Sequence, residues 1–88
     1  MAQPKHLICG IHITERVRHA VPVQQILTEF GRNIKTRLGL HEISSTDEGP
    51  NGMLLVEFVG SEDSFGDFLQ KLNTVEGVEV KQMIFDHP

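Results

Sequence analysis

The sequence predicts one α+β domain with the element order β-α-β-β-α-β. Three observations carry that expectation. Apolar residues alternate with a period of two in four separate segments, as on half-buried strands. Between the first and second of these, and between the third and fourth, they recur at i, i+3, i+4 and i+7, the stripe of an amphipathic helix. The chain has 88 residues, which suits a single domain over residues 1–88 and leaves no room for a second.

The first strand is read from Lys5 to Ile13. Leu7, Cys9, Ile11 and Ile13 share one face, and His6, Ile8, Gly10 and His12 the other. Thr14 to Ala20 is polar and charged and reads as a loop. Pro22 then opens a helix, because its missing N–H costs nothing in a first turn. Val23, Ile26, Leu27 and Phe30 form its apolar stripe, and Gly31 is its expected left-handed stop. From Asn33 to Glu42 the period returns to two, with Ile34, Leu38 and Leu40 on one parity and Lys35, Arg37 and His41 on the other. The dense run of turn-forming residues from Ser44 to Gly52 reads as a hairpin loop.

Met53 to Val59 is apolar except for Glu57 and reads as a strand buried on both faces, hence central in the sheet. Ser61 is the expected N-cap of a second helix, with Glu62 and Asp63 favoured in its first turn by the helix dipole. Phe65, Phe68, Leu69 and Leu72 make its stripe, and Gly66 within it costs about 1 kcal/mol relative to alanine. Glu76-Gly77 turns the chain into a last strand, in which Val78, Val80, Gln82 and Ile84 alternate with Glu79, Lys81, Met83 and Phe85. This order is a split βαβ arrangement, a ferredoxin-like βαββαβ sandwich. Right-handed crossovers place both helices on one face of a four-stranded antiparallel sheet and make the first and third strands the central pair.

One sheet face is therefore left without a helix. By parity it carries His6, Ile8, Gly10 and His12, then Met53, Leu55, Glu57 and Val59, then Met83 and Phe85. Contiguous apolar surface of this kind marks an interaction site, and a chain this short has a small core of its own. The expectation is a homodimer, or a higher oligomer, with His6, Ile8, His12, Met53, Leu55, Met83 and Phe85 on the dimer face.

Composition narrows the function. The chain is 39% apolar and 23% charged, ordinary for a globular domain. A net charge of −4 with no basic stripe argues against direct contact with nucleic acid, where phosphate neutralisation supplies most of the affinity. The one cysteine, Cys9, excludes an internal disulfide and a Cys-rich zinc site. No apolar run approaches the roughly 20 residues that cross a bilayer, and no signal-peptide core follows the N-terminus. A cytoplasmic protein without membrane contact is expected. No phosphate-binding glycine loop, nucleophile elbow or His-Glu-x-x-His motif is present, so the chain is read as not an enzyme, with no cofactor.

The run from Val21 to Ile34 resembles the first helix and second strand of ACT domains, in which a Gly-x-Asn-Ile segment enters the strand. Val75-Glu76-Gly77-Val78 resembles their final helix-to-strand junction. The segments Ile34 to Leu40 and Leu69 to Lys81 are similar to a group of small stand-alone proteins, the iron-only hydrogenase system regulators, which have an ACT-like architecture akin to the C-terminal domain of nickel regulators. The resemblance implies a non-catalytic regulatory or ligand-binding module, a transcriptional or metabolic regulator that works as a dimer. Amino-acid-binding ACT domains have a glycine in the loop entering the first helix, where the ligand approaches backbone closely. The matching site here, Val21-Pro22-Val23, has none, and any other residue brings a Cβ that blocks such an approach.

Two further groups of residues are candidates. Thr14, Glu15, Arg16, Arg18 and His19 form the most polar segment beside a strand end, and its two arginines could clamp a carboxylate or phosphate of a small-molecule ligand; a merely solvated loop is the competing reading. His6, His12 and His41 could, in a dimer, pair their imidazoles on a divalent ion. That metal-binding reading, and a small dimeric ferredoxin-like enzyme with its site on the same face, are the alternatives to the regulatory module. Cys9 has the opposite parity from His6 and His12 and is expected in the core.

Overall fold

The computed structural model describes residues 5–40 and 51–87. Its elements run β1 (His6–Ile13), α1 (Arg16–Glu29), a 3₁₀ turn (Gly31–Asn33), β2 (Ile34–Leu40), β3 (Gly52–Phe58), α2 (Glu62–Asn73) and β4 (Val78–Phe85). The strands form one antiparallel sheet in the order β2-β3-β1-β4. The expected ferredoxin-like topology is the one observed, with β1 and β3 at the centre.

The core follows from the two periodicities. Leu7, Cys9, Ile11 and Ile13 of β1, with Val56 and Phe58 of β3, are buried beneath the helices. Val23 and Leu27 come down from α1, and Phe65, Phe68 and Leu72 from α2. Phe58 sits among the rings of Phe65 and Phe68, each with its centroid 5.3 Å away, and Phe30 at 6.2 Å. Loss of water around Cys9 pushes its thiol up to about 11, so it remains a neutral, unreactive core residue at neutral pH. Ser61 caps α2 as expected, its Oγ accepting from the Ser64 N–H at 3.0 Å.

Four local expectations are corrected. The segment Arg16–Ala20 is helix rather than loop, and Pro22 lies inside α1 rather than opening it. Glu15 turns the chain with a left-handed φ of 50°. His19, four residues before Val23, is buried and extends the stripe of α1 one turn back from Val23. Gly31 has no positive φ; among the described glycines that is found at Gly60 and Gly77. It opens the 3₁₀ turn, and α1 ends with the Phe30 N–H on the Ile26 carbonyl at 3.1 Å. Ile34 does not share a face with Leu38. The register shifts between Ile34 and Thr36, so that Ile34 pairs with core residue Phe58 while Leu38 pairs with Leu55. Such a bulge puts one extra residue, Lys35, on β2 and reverses the parity across it. Finally, β3 is buried on one face rather than two: Val56 and Phe58 are covered, whereas Met53 and Leu55 are each 37% exposed. The expected hairpin loop over 44–52 and His41 lie outside the described residues, apart from Asn51 and Gly52.

Candidate functional site

Strand register builds the helix-free face. Ile8 lies between Glu57 of β3 and Met83 of β4; Gly10 between Leu55 and Lys81; His12 between Met53 and Glu79. Leu38 of β2 extends the row beyond Leu55. The apolar members of this face remain in water: Leu38 is 52% exposed, Met83 50% and Phe85 45%. His6, Ile8, His12, Met53, Leu55, Met83 and Phe85 all lie on the helix-free face, and Leu38 joins them from a strand whose bulge concealed its side.

Besides Glu79 and Lys81 of β4, this surface carries a hydrogen-bonded polar pair, His6 and Glu57. His6 and Glu57 are diagonal neighbours across β1 and β3, and His6 Nδ1 lies 2.8 Å from Glu57 Oε2. The carboxylate accepts, so Nδ1 carries the hydrogen. This hydrogen bond holds the Glu57 carboxyl below its ordinary value of 4.5, with the nearby charge of Lys35 adding to the effect and partial desolvation opposing it. A carboxyl depressed in the folded state contributes stability above its unfolded value and loses that contribution as pH falls through the folded one. Wild type and Glu57→Gln should therefore differ in urea midpoint at pH 7 and converge as pH drops below about 4.5, the ordinary carboxylate value. A gap that stays constant down to pH 3 would show that this carboxylate is not the cause.

At the centre of the face is a shallow hollow of about 300 Å³, lined by Gly10, His12, Met53, Glu79 and Lys81. A Cβ at Gly10 would meet only Leu55 Cδ2, at 3.7 Å, which is ordinary contact. The glycine leaves the hollow open without being required by the backbone there. A larger concavity of about 620 Å³ runs between the helices, lined by Pro22, Gln25, Ile26, Glu29, Lys71 and Val75 among others. Sequence reasoning missed it, because helix–helix spacing is not written in either helix alone.

The polar segment beside β1 is built differently from expectation. Thr14 donates its N–H to the Gly77 carbonyl at 2.8 Å, and its own carbonyl accepts from His19 Nδ1 at 2.7 Å. The Glu15 N–H donates to Asn51 Oδ1 at 3.0 Å. His19 is 9% exposed, so its ring is part of the packing between α1 and the start of β4. Its Nε2 is buried without a hydrogen-bond partner among the described residues. Arg16 and Arg18 lie in the first turn of α1. The loop entering α1 is thus Thr14-Glu15, and Val21-Pro22-Val23, taken from the sequence as the approach point for an amino acid, is helix. Neither Thr14 nor Glu15 is glycine.

His6 and His12 stand six residues apart on β1, about 20 Å at strand rise, too far to share an ion within one chain. Among the described residues no three of His, Cys, Asp or Glu gather as a metal site. No described helix is long and apolar enough to cross a membrane.

These features define a ferredoxin-like α+β domain with one helix-free, largely apolar sheet face. No family model and no curated protein matches the chain. Among solved structures it is similar to the uncharacterized protein TM1266 from Thermotoga maritima, with a TM-score of 0.75 and 23% identity over 91% of this chain and 96% of that one. It is also similar to PelD 158-CT from Pseudomonas aeruginosa PAO1, with a TM-score of 0.50 and 19% identity over 94% of this chain and 32% of that one. A dimeric ferredoxin-like protein from an uncultured marine organism aligns with a TM-score of 0.44 and 13% identity, over 93% of this chain and 94% of that one. At its level of identity, the likeness to TM1266 establishes a shared fold.

Proposed function

We propose that this chain is a non-catalytic regulatory or ligand-binding module that works as a homodimer through the helix-free face of its sheet. The observation that carries the reading is an apolar patch, Leu38 and Leu55 in one cross-strand row and Ile8 and Met83 in the next, with Met53 and Phe85 beside them, on a face that nothing in the chain covers among the described residues. An apolar centre with a half-buried polar pair at its side is the usual anatomy of a specific interface. A two-fold copy is the simplest cover, because one patch then serves both partners. The reading as a regulator, in transcription or metabolism, draws on the sequence resemblance to iron-only hydrogenase system regulators and other ACT-like domains. The reading as non-catalytic draws on the lack of any phosphate loop, nucleophile elbow or His-Glu-x-x-His motif in the sequence.

Size-exclusion chromatography with light scattering tests it. The wild type should elute with the mass of at least two chains, and Leu55→Asp with a lower one. Leu55 faces solvent in the single chain, so aspartate there leaves the core intact. In a covered interface it buries an unpaired charge, and the affinity should fall at least about a hundredfold, the equivalent of 2.7 kcal/mol. A wild type with the mass of one chain at micromolar concentration overturns the proposal.

A further inference from the structure

The sheet has two edges, and they are not alike. At one, β2 is interrupted by the bulge between Ile34 and Thr36, with Lys35 and Arg37 alongside. Bulges and clustered charge are the means by which proteins blunt an edge against pairing. At the other, β4 follows β1 without a break from Val78↔Ile13 to Phe85↔His6. It contains no proline, and its outer side has no neighbouring strand among the described residues. Met83, Ile84 and Phe85 near its end are 41–50% exposed. An unbroken, unpaired edge of this kind is a template for another strand.

The charges on β4 point to which strand. Glu79 and Lys81 lie on the same face, with Nζ and Oε2 3.8 Å apart, and are 68% and 83% exposed. A lysine alone on an edge repels a second copy, but an acid two residues earlier makes the edge complementary to itself. We propose that β4 pairs antiparallel with β4 of a second copy about a two-fold axis at Val80, joining the two sheets into one. That register pairs Val78–Gln82 of the two copies, with Met83–Phe85 beyond the overlap, and sets Glu79 of each copy opposite Lys81 of the other on the helix-free face and Val80 opposite Val80 on the helix face. Oppositely charged residues directly across a strand pair attract, and like charges there repel. Moving the axis to Lys81 would set Lys81 against Lys81. Moving it to Gln82 would set Glu79 against Phe85 and leave no charge pair. A one-residue slip between the strands would turn every side chain to the wrong face.

This edge is separate from the face described under Proposed function, and one set of variants tells the two apart. With both surfaces in use, the wild type should have the mass of four chains. Leu55→Asp removes the face contact and should leave edge dimers. Adding Glu79→Lys or Lys81→Glu should weaken those dimers at least tenfold and give monomers, and the double exchange Glu79→Lys with Lys81→Glu should restore them. Both positions are exposed, so the variants should keep their far-UV circular dichroism. Amide exchange in β4 should be slower in the Leu55→Asp dimer than after Glu79→Lys is added. A monomeric Leu55→Asp protein, an unchanged mass on adding Glu79→Lys, or a double exchange that stays monomeric overturns the edge proposal. A Leu55→Asp protein with the wild-type mass overturns only the face.

Discussion

Phe58→Ala should lower the free energy of unfolding by about 3–5 kcal/mol, the usual loss for removing a buried phenylalanine. The position is fully covered, and its ring joins three others, two from α2 and one from the end of α1. Removing it leaves a cavity under both helices at once, which neither can fill without leaving the sheet. Domains of this size are stable by roughly 5–15 kcal/mol in all, so the variant should be partly unfolded at moderate temperature. The chain has no Trp or Tyr, so urea unfolding is best followed by far-UV circular dichroism. A loss under about 1.5 kcal/mol, the ceiling for volume-conserving swaps, would mean that the aromatic cluster is not the centre of the core.

Gly77→Ala should be strongly destabilising for a change of one methyl group. Gly77 has φ of 80°, a conformation that costs an L-residue about 1–2 kcal/mol. Its new Cβ would also lie 2.5 Å from His19 Nδ1 and 2.8 Å from Cε1, so the ring must move. Moving it breaks the Nδ1 hydrogen bond to Thr14 and loosens the junction of β1, α1 and β4. A double-mutant cycle separates the two costs. In a His19→Ala background, Gly77→Ala should cost only the conformational part, about 1–2 kcal/mol. An equal cost in both backgrounds, measured by urea denaturation, would show that the ring is not obstructed.

The parts of this molecule that the sequence disclosed are those governed by simple periods. Leu7, Cys9, Ile11 and Ile13 alternate without interruption, and their burial was readable from that alone. Ser61 before two acids and Phe65 announced a helix start by its chemistry. Glu76-Gly77 announced a turn. The composition of the helix-free face was readable for the same reason, since strand parity decides it once the helices are placed on one side. What stayed hidden depends on contacts between distant segments. The first turn of α1 looked like a loop because its residues are polar; the spacing of His19, Val23 and Leu27 at i, i+4 and i+8 was the available signal. The bulge at Lys35 has no signature in the residues around it, and it reassigned Ile34. Glu57 and His6 were both placed on the open face, but their pairing required the register between β1 and β3.

That bulge also bears on how far assembly can proceed. A sheet with two straight edges can recruit copies at either end and lengthen into a fibre. Here one flank is even and self-complementary, while the other is kinked at Ile34/Thr36 and offers an incoming strand a broken ladder of donors and acceptors. Once two β4 strands have met, the flanks left outside are both kinked ones. With β4 paired as proposed, the irregularity in β2 would act as a terminator, letting the sheet double without open-ended polymerisation.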